Sequence, residues 1–253
     1  MKLVRNMRIL IVNDDSIDAP GIEILARAAA ELGEVWVAAP AEQCSAMSQK
    51  LTLRELISVE AVPDFRAAVR GAWRIGGTPV DCVKVALEYL LEEKPDVVLS
   101  GINNGFNTGQ DIAYSGTLGA AFEAERQHIP AIAHSAASDN YLDAMEPHLL
   151  PLLRELTEKR AVLGSVWNVN FPAVRDTKPL RGILRDRTVC PVSMYQERYV
   201  PVRNEDGIIW LECRGVPMPN EMIPEGSDAA AVRSGYISIG QVGCLFDVTE
   251  EEA

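Results

Sequence analysis

Short apolar runs alternate with longer segments of helical periodicity along the first two thirds of the chain. Residues 8–12 form a β-branched and leucine-rich run, which is typical of a strand buried on both faces of a parallel sheet. Apolar side chains then recur at helical spacing between Pro20, which suits the first turn of a helix, and Gly33, which suits its end. A second strand follows at residues 34–40. Together these elements predict a β-α-β unit of about 30 residues.

The same alternation continues further along the chain. We predict helices at residues 80–92, 115–127 and 141–158, and strands at residues 96–100, 130–135 and 165–172. Strands that alternate with helices indicate an α/β fold with a doubly wound, mostly parallel sheet and right-handed crossovers. In such sheets ligands bind at the carboxyl ends of the strands, so the loops at those ends are the first places to look for function.

The pattern changes near residue 178, where extended runs replace the alternation. These runs cover residues 181–188, 198–203 and 208–215, and a hairpin-turn sequence, Asn-Glu-Asp-Gly, separates the last two. A short helix over residues 227–234, capped by Ser227 or Asp228, and a last strand near residues 236–242 follow. We therefore predict an α/β body of residues 1–177 and a β-rich arm of residues 178–253 whose final helix and strand pack back on the body.

Composition narrows the range of partners and locations. The 253 residues are 47% hydrophobic and carry a net charge of −12, with no run of basic residues, which argues against nucleic acid or an anionic membrane surface as the main partner. No apolar stretch approaches the ~20 residues of a membrane span, and the start of the sequence lacks a signal-peptide cleavage region. The five cysteines are scattered and never spaced as Cys-x-x-Cys, which favours reduced thiols in a cytoplasm.

The first candidate for chemistry is the polar triplet Asn13, Asp14 and Asp15, which directly follows the first strand. Adjacent carboxylates raise the pKa of one another unless a cation is present, and hard divalent cations such as Mg²⁺ or Mn²⁺ bind carboxylate oxygens. The alternative is a solvated turn in which Asp15 or Asp18 caps the following helix. The position at the carboxyl end of a strand favours the metal site.

Loops after later strands offer further polar groups. Residues 41–53 contain Ser45 and Ser48 among small residues, and Thr78 followed by proline is typical of a helix cap. His134 ends a predicted strand, but the three histidines show no metal-binding spacing, so we interpret it as structural.

The richest of these loops covers residues 100–115, where glycines let backbone approach a ligand and asparagines supply neutral oxygen ligands. Ser115, Gly116 and Thr117 begin the helix that follows, and the amino end of a helix binds anions. A turn cluster with a serine cap is the alternative, but a loop of this length in a compact α/β domain is more often functional. The fingerprints of a dinucleotide site, a Walker A loop and a Gly-x-Ser-x-Gly nucleophile elbow are all absent from the sequence.

Six segments resemble, in order along nearly the whole chain, the SurE (survival protein E) family of metal-dependent nucleotidases. They begin with ILIVNDDSIDAPGIEILA, VAAPAEQCSAMSQKLTL and GGTPVDCV and continue with SGINNGFNTGQDIAYSGTLGAAFE, NVNFP and GSDAAAVRSGYISI. The resemblance implies a Rossmann-like α/β domain, a carboxyl-terminal portion that assembles a homodimer or homotetramer, and hydrolysis of nucleoside monophosphates. Family members differ in preference for 5′- or 3′-nucleotides and in activity on short polyphosphate.

The resemblance also implies roles for individual residues. One divalent metal ion per subunit, Mg²⁺ or Mn²⁺, would be held by Asp14, Asp15, Ser45 and Asn103. The phosphate would lie against Asn103 and the Ser115-Gly116-Thr117 turn, with Asn13 lining the same cleft. The sequence does not identify the group that accepts the proton of the attacking water, and Asp14 or Asp15 is the simplest hypothesis. A cation and a helix end together would let a protein of charge −12 bind a phosphate.

The sequence departs from the family pattern at two positions beside these residues. Ser16 stands where the family commonly has glycine, and Cys44 stands where an arginine is frequent. Two alternative functions therefore stay open: a broad metal-dependent phosphomonoesterase or exopolyphosphatase, and a metal-dependent nucleotide-binding regulator without turnover.

Overall fold

The computed structural model describes residues 6–137, 141–174 and 179–244, apart from the side chains of residues 141–144. The main sheet contains nine strands: β1 Met7–Val12, β2 Gly33–Pro40, β3 Val59–Ala61, β4 Gly71–Ile75, β5 Val97–Asn104, β6 Ala131–Ala136, β7 Ser165–Phe171, β8 Gly182–Leu184 and, from the end of the chain, β11 Tyr236–Gly243. A separate two-stranded sheet pairs β9 Tyr195–Glu205 with β10 Ile208–Pro217. The helices are α1 Pro20–Ala30, α2 Pro79–Val85, α3 Gly116–Arg126, α4 Tyr141–Glu158 and α5 Asp228–Arg233.

The order of the strands across the main sheet is β3-β4-β2-β1-β5-β6-β7-β11-β8. All pairings from β4 to β7 are parallel, whereas β3 on β4 and β11 on β7 are antiparallel. The predicted doubly wound, mostly parallel α/β sheet is therefore confirmed. The chain leaves β1 toward β2 and β4 and later returns to place β5 on the other side of β1, so the strand order reverses between β1 and β5. Ligand crevices form at such a switch point.

Two hydrophobic cores lie on opposite faces of the sheet. Alternate residues of β1 point to opposite faces, so Ile9 and Ile11 join the core under α1 and α4, whereas Leu10 and Val12 join the core under α2 and α3. All four side chains are fully buried, and each contributes roughly 2 kcal/mol of hydrophobic stabilisation. The central strands are thus fixed from both sides, which gives their carboxyl ends a rigid base.

The structure corrects the sequence interpretation of how α1 begins. Neither Asp15 nor Asp18 caps α1, because the cap residue is Ala19, which makes no side-chain cap hydrogen bond, and Pro20 supplies the first turn. Asp18 instead accepts a hydrogen bond from Arg74 at 2.7 Å. The Thr78 cap is confirmed as a reciprocal capping box, and Ser227 caps α5. The helix predicted over residues 80–92 is α-helical only to Val85 and continues as a π-helical turn over Ala86–Leu90.

The carboxyl-terminal part of the chain divides between the main sheet and the hairpin of β9 and β10. The hairpin turns at Asp206 and Gly207, whose φ angles of 50° and 78° suit a two-residue turn. Nearly every hairpin residue is exposed, including Ile208, Ile209 and Trp210. Of the predicted β-rich arm, only the hairpin forms a separate sheet, since β8 and β11 belong to the main sheet. The division into a body and an arm stays a prediction, and its boundary between residues 177 and 178 lies outside the described residues. Within the described parts of the chain, no helix is long and apolar enough to cross a membrane.

Candidate functional site

Three loops meet at the switch point, because β1, β2 and β5 run parallel and end at the same edge of the sheet. The backbone N–H of Cys44, in the loop after β2, donates to the carbonyl oxygen of Asp14 at 2.7 Å. The backbone N–H of Asn104, at the end of β5, donates to Oδ2 of Asp15 at 2.7 Å. The structure thus brings three of the predicted polar segments to one place.

Asp14 is the more enclosed of the two carboxylates, with 4% of its surface exposed. Its Oδ1 accepts a hydrogen bond from the Thr117 hydroxyl at 2.7 Å. Its Oδ2 lies against Gly116, where a Cβ atom would come within 3.0 Å of that oxygen, so the close approach of α3 to the carboxylate requires glycine. Burial raises the pKa of Asp14 to about 6; the charge of Asp15 acts in the same direction and the Thr117 hydrogen bond opposes it.

Asp15 lies beside Asp14 and is half-buried. Besides the hydrogen bond from Asn104, its Oδ1 lies 3.4 Å from Nε2 of Gln43. Among the described side chains, no lysine or arginine forms an ion pair with Asp14 or Asp15. Two adjacent carboxylates without a cationic partner are an environment that a divalent cation stabilises.

Asn13 contributes an unsatisfied oxygen next to the carboxylates. Its side chain is fully buried, and Nδ2 donates to the carbonyl oxygen of Ser16 at 2.7 Å, while Oδ1 has no hydrogen-bond partner. A buried amide oxygen without a donor carries a desolvation cost, which a bound ligand would relieve. Ser16 itself has a φ of 86°, a left-handed conformation that favours glycine, so the family's usual residue is explained by the backbone of this turn.

Two predicted metal ligands reach the site less directly. Ser45 is exposed and directly follows Cys44, whose backbone N–H donates a hydrogen bond to the carbonyl oxygen of Asp14. Asn103 is half-buried, and its Nδ2 donates to the carbonyl oxygen of Gly105 at 2.8 Å, which leaves Oδ1 as its free acceptor. In the described part of the chain neither side chain hydrogen-bonds to Asp14 or Asp15, and no cluster of three or more His, Cys, Asp or Glu side chains is suited to a metal. The candidate set is instead two carboxylates, a hydroxyl and an amide.

The first turn of α3 lies beside the carboxylates. The Ser115 hydroxyl oxygen caps the helix by accepting from the backbone N–H of Leu118 at 3.1 Å, and Thr117 is fully buried with its hydroxyl on Asp14. Both side chains are therefore used inside the protein. What this turn offers to an anion is its free backbone N–H groups and the positive end of the helix dipole.

Asn107 joins a buried polar network under the site that sequence reasoning missed. Its Nδ2 donates to the hydroxyl oxygens of Ser135, at 2.7 Å, and Thr117, at 3.3 Å. The side chain of Asn170 pairs with both the backbone N–H and the carbonyl oxygen of Asn107, and Asn168 donates to the same carbonyl. Asn168 and Asn170 are two polar residues at strand spacing within an apolar strand, and that pattern was the available signal.

His134 lies outside this network. Its side chain is fully buried, both ring nitrogens lack hydrogen-bond partners, and burial lowers its pKa to about 4. It is therefore neutral at physiological pH. Gly101 packs directly against its backbone, since a Cβ atom there would come within 2.3 Å of the His134 carbonyl oxygen.

A cavity of about 550 Å³ lies beside α3 and is lined by Gly119 and Phe122 of that helix and by its cap residue Ser115. Its lining combines apolar and polar groups: Ile112, Tyr114, Ser115, Phe122, Gln49 and Gln110 are among them. Tyr114 is 61% exposed. The volume falls in the range of small-molecule sites.

These features define an α/β protein whose candidate ligand site lies at a topological switch point and places two carboxylates, without a cationic partner among the described side chains, next to the amino end of a helix. The family model for "Survival protein SurE" matches residues 9–193. The chain belongs to the SurE family.

Individual relatives agree with this assignment. The chain is 40% identical over 246 residues to "5'-nucleotidase SurE" of Gemmatimonas aurantiaca, covering 92% of this chain and 91% of the relative. It is 35% identical over 235 residues to "5'/3'-nucleotidase SurE" of Shigella dysenteriae, covering 92% and 88%. The crystal structure of the SurE protein from Aquifex aeolicus superposes with a TM-score of 0.78 at 31% identity, covering 96% of this chain and 95% of that one.

Proposed function

We propose that this protein is a divalent-metal-dependent nucleotidase that hydrolyses nucleoside monophosphates to nucleoside and phosphate. The observation that carries the proposal is the pair Asp14 and Asp15, adjacent carboxylates without a cationic partner among the described residues, next to the amino end of α3. The printed names of the relatives, 5′-nucleotidase and 5′/3′-nucleotidase, support the same reaction.

The metal would be one Mg²⁺ or Mn²⁺ ion per subunit, held by Asp14, Asp15, Ser45 and Asn103. The donor set is made of oxygen atoms alone, which suits a hard cation, and the raised pKa of Asp14 and the unpaired Oδ1 of Asn13 indicate a site that lacks positive charge. When bound, such an ion acts as a Lewis acid on the phosphate and lowers the pKa of a bound water.

The protein's own groups have separate tasks in this proposal. The backbone N–H groups of Gly116 and Thr117 orient the phosphate and stabilise charge on its oxygens during in-line attack, whereas the Ser115 N–H already donates to the carbonyl oxygen of Ile112 at 3.1 Å. Asn13 and Asn103 line the same cleft, and Asp14 or Asp15 accepts the proton of the attacking water. Burial of Asp14 keeps bulk water away from this exchange and strengthens each electrostatic contact.

The nucleoside part of the substrate has room in the cavity beside α3, where Tyr114 offers an exposed ring for base stacking. This favours nucleotides over other phosphomonoesters. Stacking of a base on an aromatic ring is worth about 1–3 kcal/mol, so Tyr114→Ala should raise KM for AMP at least fivefold. Tyr89→Ala, at a 78% exposed tyrosine outside the cavity, is the matched control and should leave KM unchanged. Equal effects of the two substitutions would place the base elsewhere.

The deciding assay is phosphate release with added Mn²⁺ from a panel of 5′- and 3′-nucleotides, sugar phosphates and short polyphosphates, with a chelator as control. We expect chelator-sensitive release that is fastest from nucleoside monophosphates. Fastest release from sugar phosphates or polyphosphate would favour the broad phosphatase or exopolyphosphatase. Nucleotide binding without release would favour the regulator.

We also propose a homodimer or homotetramer built through the hairpin of β9 and β10. A two-stranded sheet alone is marginally stable in water, and this one exposes Ile208, Ile209, Trp210 and Leu211 by about half of their surface. Sedimentation of the wild type should give an oligomer, and Trp210→Asp should shift it toward monomer. A wild type that sediments only as monomer would contradict the proposal. A cytoplasmic location stays a prediction.

A further inference from the structure

The hydroxyl of Thr117 has a single proton, and the hydrogen bonds around it decide where that proton goes. Thr117 Oγ1 lies 2.7 Å from Oδ1 of Asp14 and 3.3 Å from Nδ2 of Asn107. An amide Nδ2 only donates and an ionised carboxylate only accepts. The Thr117 oxygen therefore accepts from Asn107 and donates its proton to Asp14.

Hydrogen bonds hold the side-chain amide of Asn107 in one orientation. Its second Nδ2 proton goes to the Ser135 hydroxyl oxygen at 2.7 Å, and Asn170 binds its backbone on both sides, at 2.8 Å and 3.0 Å. Thr117, Ser135 and Asn170 are fully buried and Asn107 nearly so. Removing one of these hydrogen bonds would leave a buried polar group without a partner, which costs about 1–3 kcal/mol of stability.

The chain of hydrogen bonds ends on Oδ1 of Asp14 and does not include Oδ2. Oδ1 accepts from the Thr117 hydroxyl, whereas Oδ2 faces Gly116 and has no side-chain donor among the described residues. A carboxylate held in this way has a fixed rotamer and one oxygen left for a ligand.

We propose that Thr117 and Asn107 are positioning residues that hold Asp14 with Oδ1 engaged and Oδ2 directed to the metal. The inference rests on the proposed function, in which Asp14 binds the ion, and it assigns the Thr117 side chain to the carboxylate rather than to the phosphate. Outer-shell partners of this kind change metal affinity by about 10–100-fold when removed.

The test measures Mn²⁺ binding directly, by the electron paramagnetic resonance signal of free Mn²⁺, on full-length protein shown to be folded by circular dichroism. Thr117→Val keeps the shape and removes the hydroxyl, and should weaken Mn²⁺ binding at least tenfold. Thr117→Ser restores the hydroxyl and should bind within threefold of wild type. Asn107→Asp keeps the shape but accepts instead of donating, so it competes for the Thr117 proton and should weaken binding despite its added negative charge.

A matched control comes from the same loop. Thr108 is also fully buried, but its hydroxyl has no hydrogen-bond partner, so Thr108→Val should leave Mn²⁺ affinity unchanged. Thr117→Val binding within threefold of wild type, or Asn107→Asp binding more tightly as simple Coulomb attraction requires, would overturn the positioning role alone. A folded wild type that binds no Mn²⁺ would overturn the metal site and this inference together.

Discussion

Asp14 and Asp228 are both buried carboxylates, each with 4% of its surface exposed, but their surroundings differ. Asp228, at the start of α5, accepts hydrogen bonds from three backbone N–H groups, those of Gly109, Cys190 and Ala229, at 3.0, 2.9 and 2.7 Å. Both of its oxygens are satisfied. Burial raises the pKa of Asp228, and these three donors oppose that rise.

Among the described side chains only the Thr117 hydroxyl donates to Asp14, and a second carboxylate lies beside it. No described side chain donates to its other oxygen. A buried acid that is fully satisfied by backbone joins segments of the fold, here the loop after β5 to the carboxyl-terminal part. A buried acid with a like-charged neighbour and few donors is an environment that a bound cation would stabilise. The difference is the one expected between a structural carboxylate and the metal ligand that we propose.

The largest effect is expected from Asp14→Asn. The substitution removes the charge that we propose binds the metal, and we expect phosphate release from AMP to fall by at least about a thousandfold, on the scale of losing a principal electrostatic group. Stability of the metal-free protein should be unchanged or higher, because a neutral amide is cheaper to bury beside Asp15. Activity and urea unfolding of the chelator-treated protein measure the two quantities. A stable variant with full activity would remove Asp14 from the mechanism.

Asp228→Asn should show the opposite pattern. One carboxylate oxygen becomes an NH₂ group, which cannot accept the hydrogen bond that a backbone N–H donates to it in the wild type. The free energy of unfolding should therefore fall by about 2–3 kcal/mol. Hydrolysis by the folded variant should fall far less than in Asp14→Asn. Urea unfolding and activity at low temperature provide the measurements. If Asp228→Asn abolished activity without loss of stability, the contrast between the two carboxylates would be wrong.

The order of the main elements and the clustering of polar loops could be predicted from the sequence because both depend on local patterns. Buried apolar runs and helical periodicity predicted β1, α1 and β2, and the parallel arrangement then brought their loops to one edge. The short strands β3, at the edge of the sheet, and β4, next to it, were not predicted. β3 is three exposed residues, and its pairing with β4 depends on tertiary contacts rather than on a pattern of its own.

The network beneath the site was beyond sequence reasoning for a different reason. Asn107 was recognised as a polar residue of a glycine-rich loop, but its partners Ser135 and Asn170 lie 28 and 63 residues away. No short-range pattern encodes such pairs. The same holds for Asp228, whose predicted role was only to cap a helix, although it also binds Gly109 across the chain.

The two carboxylates also differ in the backbone near them. Ser16, two residues after Asp14, has a φ of 86°, whereas Ser227, next to Asp228, has an ordinary φ of −77°. Ser16→Gly should therefore stabilise the protein by about 1 kcal/mol, which corresponds to a rise in Tm of roughly 2–4 °C for a chain of this size. The carbonyl that accepts from Asn13 is retained. Ser234→Gly, at a φ of −84°, is the control and should give no gain; an equal gain there would refute strain at Ser16.

A third carboxylate, that of Glu155 in α4, differs from both buried carboxylates because it forms an ion pair near the surface. Arg185, just after β8, donates to both of its oxygens at 2.8 and 2.6 Å and lowers the pKa of Glu155 to about 2, with Lys159 adding to the effect. Because the folded-state pKa lies below the ordinary 4.5, the pair stabilises the protein above that pH and loses its contribution as pH falls toward 2.

Solvent screens this pair, so its contribution should be only about 0.5–1 kcal/mol. The difference in unfolding free energy between wild type and Glu155→Gln, measured in urea, should therefore be small at pH 7 and fall by about half between pH 5 and pH 3. High salt should reduce it at pH 7 as well. A difference that grew on acidification would have the wrong sign for an ion pair, and would show that Glu155, like Asp14 among the described residues, is not held by an oppositely charged side chain.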